Sequence, residues 1–205
     1  MRYTNLNTWP RCKHFDVFHA FDYPHFNVCG NVDVTTFYQA VKTTRVSLTI
    51  ATTYMLTHVA NNITEFRYHI RDDQVVGHEV VHPSITLLAK DDLSSYCAFT
   101  YTEDFYTFVE HANARVTWIN ENPTLEDEPA QDNLLFMSSM PWVSFTGDNA
   151  PASYASGGIK STIGVGQAVR GAESLEDAAP GTGTPRFNGW ATRGALFRAD
   201  AVSVR

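Results

Sequence analysis

The sequence predicts an α/β fold of the α+β or mixed kind over residues 1–146. Two observations predict it. Long apolar stretches with helical spacing (48–61, 105–120) interleave with short apolar or alternating runs (26–34, 74–82, 84–88, 96–101, 134–145). Helix start signals, at Val34-Thr35-Thr36 and at Thr102-Glu103-Asp104, stand just before two of the helical segments.

Taken in order, Trp9 and Pro10 read as extended chain, and Arg11 to Phe18 starts a helix after Pro10. Phe26 to Val34 alternates as a strand, and a Thr cap then opens a helix over FYQAVK. Leu48 to Asn61 is an apolar helix, expected to be buried on most sides. Glu65 to Ile70 leads to a turn at Arg71-Asp72-Asp73. Gln74 to His82, Ser84 to Leu88 and Tyr96 to Tyr101 read as strands. Phe105 to Asn120 is an amphipathic helix behind an acidic cap. Asn122 to Asp132 is an acidic loop, and Leu134 to Phe145 is a core strand interrupted by Pro141.

The composition changes at Gly147. Residues 1–146 carry 22 of 26 aromatics, all 8 His, all 3 Cys and only 2 of 12 Gly. They hold 9 basic and 17 acidic residues, whereas residues 147–205 hold 6 and 5. Periodicity fades there too, so the second segment is expected to add no strong helix or strand and to form a poorly ordered tail. The domain is therefore taken as 1–146, followed by a tail over 147–205.

Several function classes are excluded at this stage. A net charge of -7 argues against a nucleic-acid partner held through phosphates. No apolar run reaches the roughly 18 residues of a membrane span. The N-terminus shows no secretory h-region, so a cytoplasmic location is expected. Cys12, Cys29 and Cys97 read as reduced thiols, and no CxxC suggests structural zinc. His78 and His82 would share one strand face about 13 Å apart at about 3.3 Å per residue, too far to share a metal. His19 and His25 read as loop or surface residues.

Six segments give a sharper reading: TWPRCKHF (8–15), NVDVTTFYQAVK (31–42), EFRYHI (65–70), VHPSIT (81–86), EDFYTFV (103–109) and FMSSMPWVSFT (136–146). Together, in this order and spacing, they resemble the chloramphenicol acetyltransferase family. The resemblance implies a CoA-dependent acyltransferase fold: two α+β layers, with a mixed sheet and helices on one face. It implies acetyl transfer from acetyl-CoA to a drug hydroxyl, without a metal, in a homotrimer whose sites lie between subunits. A His in an HHxxxDG motif would be the general base. By the same resemblance Ser138 stabilises the oxyanion, and Phe18 and Thr86 line the drug pocket. Trp142 lies near the CoA site. Arg11 gives structural support by pairing with the Asp of HHxxxDG, and a buried Arg without that partner would be costly.

HHxxxDG is absent, because no His follows His111. Divergence would explain this, and so would a change of reading frame near Gly147. The codons of residues 165–202, read from their second base, permit the family's missing segments in order. The motif's two His fall across Thr184, Pro185 and Arg186, and its Asp and Gly across Gly189, Trp190 and Ala191. The expectation is an out-of-frame translation from about Gly147 onward, with the C-terminal strands and helix of the fold missing and the chain inactive. A non-catalytic remnant that binds drug or CoA is the alternative from another class. A dihydrolipoyl acyltransferase core would call for a lipoyl domain and a Pro/Ala-rich linker ahead of TWPRCKHF. Sequencing the gene tests the frame reading: one base inserted or deleted near codon 147 should restore HHxxxDG, and no restoration would refute it.

Overall fold

A computed structural model describes residues 1–21, 30–71, 73–88, 94–124, 131–140 and 162–166. In chain order the elements are β1 (Arg2–Tyr3), α1 (Cys12–His19), α2 (Thr35–Thr44), α3 (Leu48–Asn62) and a 3-10 turn (Thr64–Arg67). There follow β2 (Tyr68–Arg71), β3 (Gln74–Gly77), β4 (His82–Leu88), β5 (Ser94–Ala98), α4 (Phe105–Glu121), β6 (Leu134–Met140) and β7 (Thr162–Gly166). They form a three-stranded sheet, β1-β3-β2, and a four-stranded sheet, β5-β4-β6-β7. In the larger sheet β5 runs antiparallel to β4, while β6 and β7 add in parallel. The fold is therefore the expected mixed α/β arrangement.

The core lies between the larger sheet and helices α3 and α4. Ile85, Cys97, Leu135 and Met137 from the sheet meet Ile50 and Ala60 of α3 and Phe108, Ala112 and Ile119 of α4. Strand register makes this possible. Pro83 pairs with Leu135 and Ile85 with Met137, so one face of β4 and β6 is apolar and buried.

Helix α4 begins where Asp104 Oδ1 accepts the Thr107 N–H at 2.7 Å, as the acidic cap predicts. That hydrogen bond also holds the Asp104 carboxyl below its usual pKa. Helix α3 accommodates its threonines because Thr57 Oγ1 donates to the Thr53 carbonyl at 2.7 Å inside the helix. Its burial is less complete than expected, since Met55 and Val59 on the outer face are each 46% exposed.

Four expectations are corrected. The predicted strand at 26–34 is not formed in its described part: residues 30–34 are irregular, Val32 is 78% exposed, and they pair with no strand among the described residues. Helix α2 follows without the expected Thr cap: its N-cap is Val34, and just before it Asp33 Oδ1 accepts the Thr35 N–H at 2.9 Å in an Asx turn. The predicted strand at 74–82 is two strands. The chain leaves β3 at Gly77, His78 N–H donates to the Arg67 carbonyl at 2.8 Å, and β4 starts in the other sheet at His82. Gly77 sits against the Tyr68 ring, where an added Cβ would lie 3.1 Å away.

Finally, a strand does follow Gly147. β7 pairs with β6 from Phe136↔Thr162 to Met140↔Gly166. The free edge of β6 carries unpaired N–H and C=O groups, and the extended, β-branched Ile163 and Val165 can satisfy it through backbone alone. The rest of 147–205 lies outside the described residues.

Phe108 is fully buried, with its ring centroid 5.4 Å from Tyr54 and 5.9 Å from Phe99. Phe108→Ala should destabilise the chain by about 3–5 kcal/mol in urea unfolding. A loss below about 1 kcal/mol would contradict this core.

Candidate functional site

Ser138 stands on β6 between Met137 and Ser139. Met137 is buried in the core, so strand alternation turns Ser138 to the opposite face, where it is half-buried. Continuing the β4–β6 register one residue beyond Ile85↔Met137 brings Thr86 alongside Ser138. Adjacent strands lie roughly 4.8 Å apart, which places the two hydroxyl side chains next to each other. Thr86 pairs on its other side with Tyr96, and Ser138 pairs with Gly164. The row across the sheet is thus Tyr96, Thr86, Ser138 and a glycine, which puts no side chain beside the serine. It faces away from α3 and α4.

A second group of residues gathers around α1. Trp9, Arg11, His14, Phe15, Phe18, His19 and Ile70 line an open cavity of about 220 Å³. Three aromatic rings and one guanidinium suit a small aromatic molecule with a polar edge. Phe18 is 52% exposed and meets Phe21 edge-on, with centroids 5.5 Å apart. The structure therefore brings Phe18 and Arg11 together at the cavity, and Thr86 and Ser138 together on the sheet. The two groups share no residue. Trp142 lies outside the described residues.

Arg11 departs from the expected cost of burial without a partner. Its Nη2 donates to Glu65 Oε1 at 2.7 Å, with the two side chains 57% and 52% exposed. Solvent reaches both ends, so the pair contributes about 0–1 kcal/mol. The Glu65 carboxyl is held below its usual pKa by its own backbone N–H and then by Arg11. Glu65 was not singled out from the sequence, although it opens the quoted EFRYHI segment. Its link to Arg11 spans 54 positions and leaves no local pattern.

The histidines also differ from expectation. His78 and His82 do not share a strand, since β4 starts at His82. His82 Nδ1 accepts the Tyr101 N–H at 3.0 Å, and burial lowers its pKa, which marks a neutral structural acceptor. His78 instead packs edge-on against His69, with centroids 4.9 Å apart. His19 ends α1 rather than lying in a loop, with Nε2 3.6 Å from Asp73 Oδ1. His25 lies outside the described residues. Among the described residues no group of three His, Cys, Asp or Glu could hold a metal ion. Nor is any described helix long and apolar enough to cross a membrane.

On this geometry the chemistry is that of a half-buried hydroxyl donor on the sheet face turned away from α3 and α4. Ser138 can donate its O–H to an oxygen that gains negative charge, and Thr86 can bind or orient a neighbouring polar group.

Comparison with known proteins defines the class. The family model for chloramphenicol acetyltransferase matches residues 1–155. The chain belongs to the chloramphenicol acetyltransferase family. A chloramphenicol acetyltransferase from Klebsiella sp is 28% identical over 143 residues, covering 69% of this chain and 65% of that protein. Chloramphenicol acetyltransferase 2 of Haemophilus influenzae is 29% identical over 147 residues, covering 71% of this chain and 69% of that protein. The protein from Streptomyces acrimycini is 32% identical over 154 residues, covering 70% of this chain and 66% of that protein. The matching part thus spans about two thirds of the length of these relatives. A solved chloramphenicol acetyltransferase structure superposes with a TM-score of 0.68 at 22% identity, covering 82% of this chain and 83% of that one. That likeness establishes the CoA-dependent acyltransferase fold.

Proposed function

We propose that this chain is a chloramphenicol O-acetyltransferase by descent, built to move acetyl from acetyl-CoA to a hydroxyl of the drug, and that it is inactive as it stands. The feature that supports the reading is Ser138 on β6, turned by strand alternation to the face opposite Met137, with Thr86 one step beyond Ile85↔Met137 in the β4–β6 register. In the transfer, a base takes the proton of the drug hydroxyl as that oxygen attacks the thioester carbonyl. Ser138 donates its O–H to the oxyanion of the tetrahedral intermediate. Collapse expels the CoA sulfur, which receives the proton from the base, and leaves the acetyl ester. The residue missing from this sequence is that base.

The same reading makes residues 147–205 an out-of-frame segment, never selected to pack on the domain. Its glycine-rich composition supports this, with 10 of the 12 glycines, no His, and codons that permit the family motif one base over. A homotrimer in the cytoplasm is the proposed assembly of the completed chain, as the family resemblance of residues 1–146 implies. A weaker reading is a non-catalytic remnant that binds drug or CoA. The aromatic cavity at Phe18 supports it, since its wall is present without a base.

A thiol-release assay with acetyl-CoA and chloramphenicol separates these readings. The chain as given should release no thiol above the blank, while a frame-restored version should turn over. In that restored version Ser138→Ala should lower kcat by about 10²–10³-fold. Turnover by the chain as given would contradict the missing base. Equilibrium dialysis of chloramphenicol against the given chain, weakened by Phe18→Ala, would favour the remnant.

A further inference from the structure

Where β6 begins, the larger sheet is tied to the smaller one through two residues. His69 Nδ1–H donates to the Asp132 carbonyl at 2.6 Å, and Arg71 Nη2 forms an ion pair with Asp132 Oδ2. The next residue, Asn133, accepts the His82 N–H through its carbonyl at 2.9 Å, and its Nδ2 donates to the Val80 carbonyl at 3.0 Å. The first two contacts come from β2 and the other two from the start of β4 and the segment before it.

His78 sits at the centre of this knot. It is 8% exposed, its ring packs on His69, and its Nε2 makes no hydrogen bond. Asp132 Oδ1 lies 3.9 Å from that nitrogen, too far for a hydrogen bond, and the carboxylate is already engaged by Arg71.

We propose that the buried His69–His78 pair is a pH-sensitive latch, which holds the N-terminal end of β6 while His78 is neutral and frees it when His78 takes a proton. The groups facing His78 make the protonated state costly. They are His69 and Arg71 on β2 and the N-terminal ammonium ahead of β1. Asp132 ahead of β6 is the nearest counter-charge, and the N-terminus pairs with Glu79 at 3.7 Å rather than with this site. Burial first, then His69, Arg71 and the N-terminus, lower the His78 pKa from 6.5 to about 4. The sign follows from linkage. Between pH 6.5 and about 4 the open or unfolded chain binds a proton that the closed latch does not. The latch is therefore at full strength above pH 6.5 and weakens as pH falls toward 4. A charged ring is relieved when water reaches it, and on this proposal water enters as Asp132 and Asn133 swing away.

Hydrogen exchange on the full chain, corrected for the intrinsic pH dependence of exchange, tests this. Between pH 6.5 and 4.5, protection of residues 134–137 should fall about tenfold or more, while residues 108–119 of α4 keep theirs. His78→Gln, neutral across this range, should abolish the selective loss. An unchanged loss in His78→Gln would overturn the proposal. So would parallel loss in both segments, or no loss in either. The wild-type comparison of β6 with α4 decides the matter even where the variant does not fold.

Discussion

The parallel pairing of β6 beside β4 is the constraint on which the rest depends. A strand alternates its faces, so a one-residue slip would exchange every inward and outward side chain of β6. In the observed register Leu135 and Met137 enter the core with Pro83 and Ile85, and alternation turns Ser138 to the other face, where continuing the register sets it next to Thr86. The apolar core and the hydroxyl row are thus two sides of one alignment. Burial of Leu135 and Met137 fixes the register, and the register places the serine. The knot at Asp132 and Asn133 anchors the same strand from its other end.

How much could be read from the sequence depended on how local the cause was. Helices α3 and α4 were legible because their apolar spacing and, for α4, the Asp104 cap lie within a few residues. The strand that carries Ser138 was legible as an apolar run, and alternation along β6 gives the face on which the serine lies. The segment 30–34 shows the limit: alternation alone suggests a strand, but those residues are irregular and pair with no strand among the described residues. The break at Gly77 was hidden for the opposite reason. QVVGHEVVH reads as one apolar run, yet it crosses between sheets, with His78 bonded to Arg67. Arg11 with Glu65 and His69 with Asp132 join distant positions, and no local pattern announces either.

The composition break at Gly147 looks different beside the structure. A strand-forming piece, β7, lies within the glycine-rich part and pairs along the edge of β6. Backbone hydrogen bonding needs no particular side chains, so an edge strand can form on a segment whose side chains were not selected for this fold. No histidine follows His111. Residues 1–155 match the family model.

The most direct test of this account is the register of β6 in solution. Backbone nuclear Overhauser effects on isotope-labelled chain should connect Pro83 with Leu135 and Ile85 with Met137, and continue to Thr86 with Ser138. A pattern displaced by one residue, with Ile85 opposite Ser138, would turn the serine into the core and contradict the site.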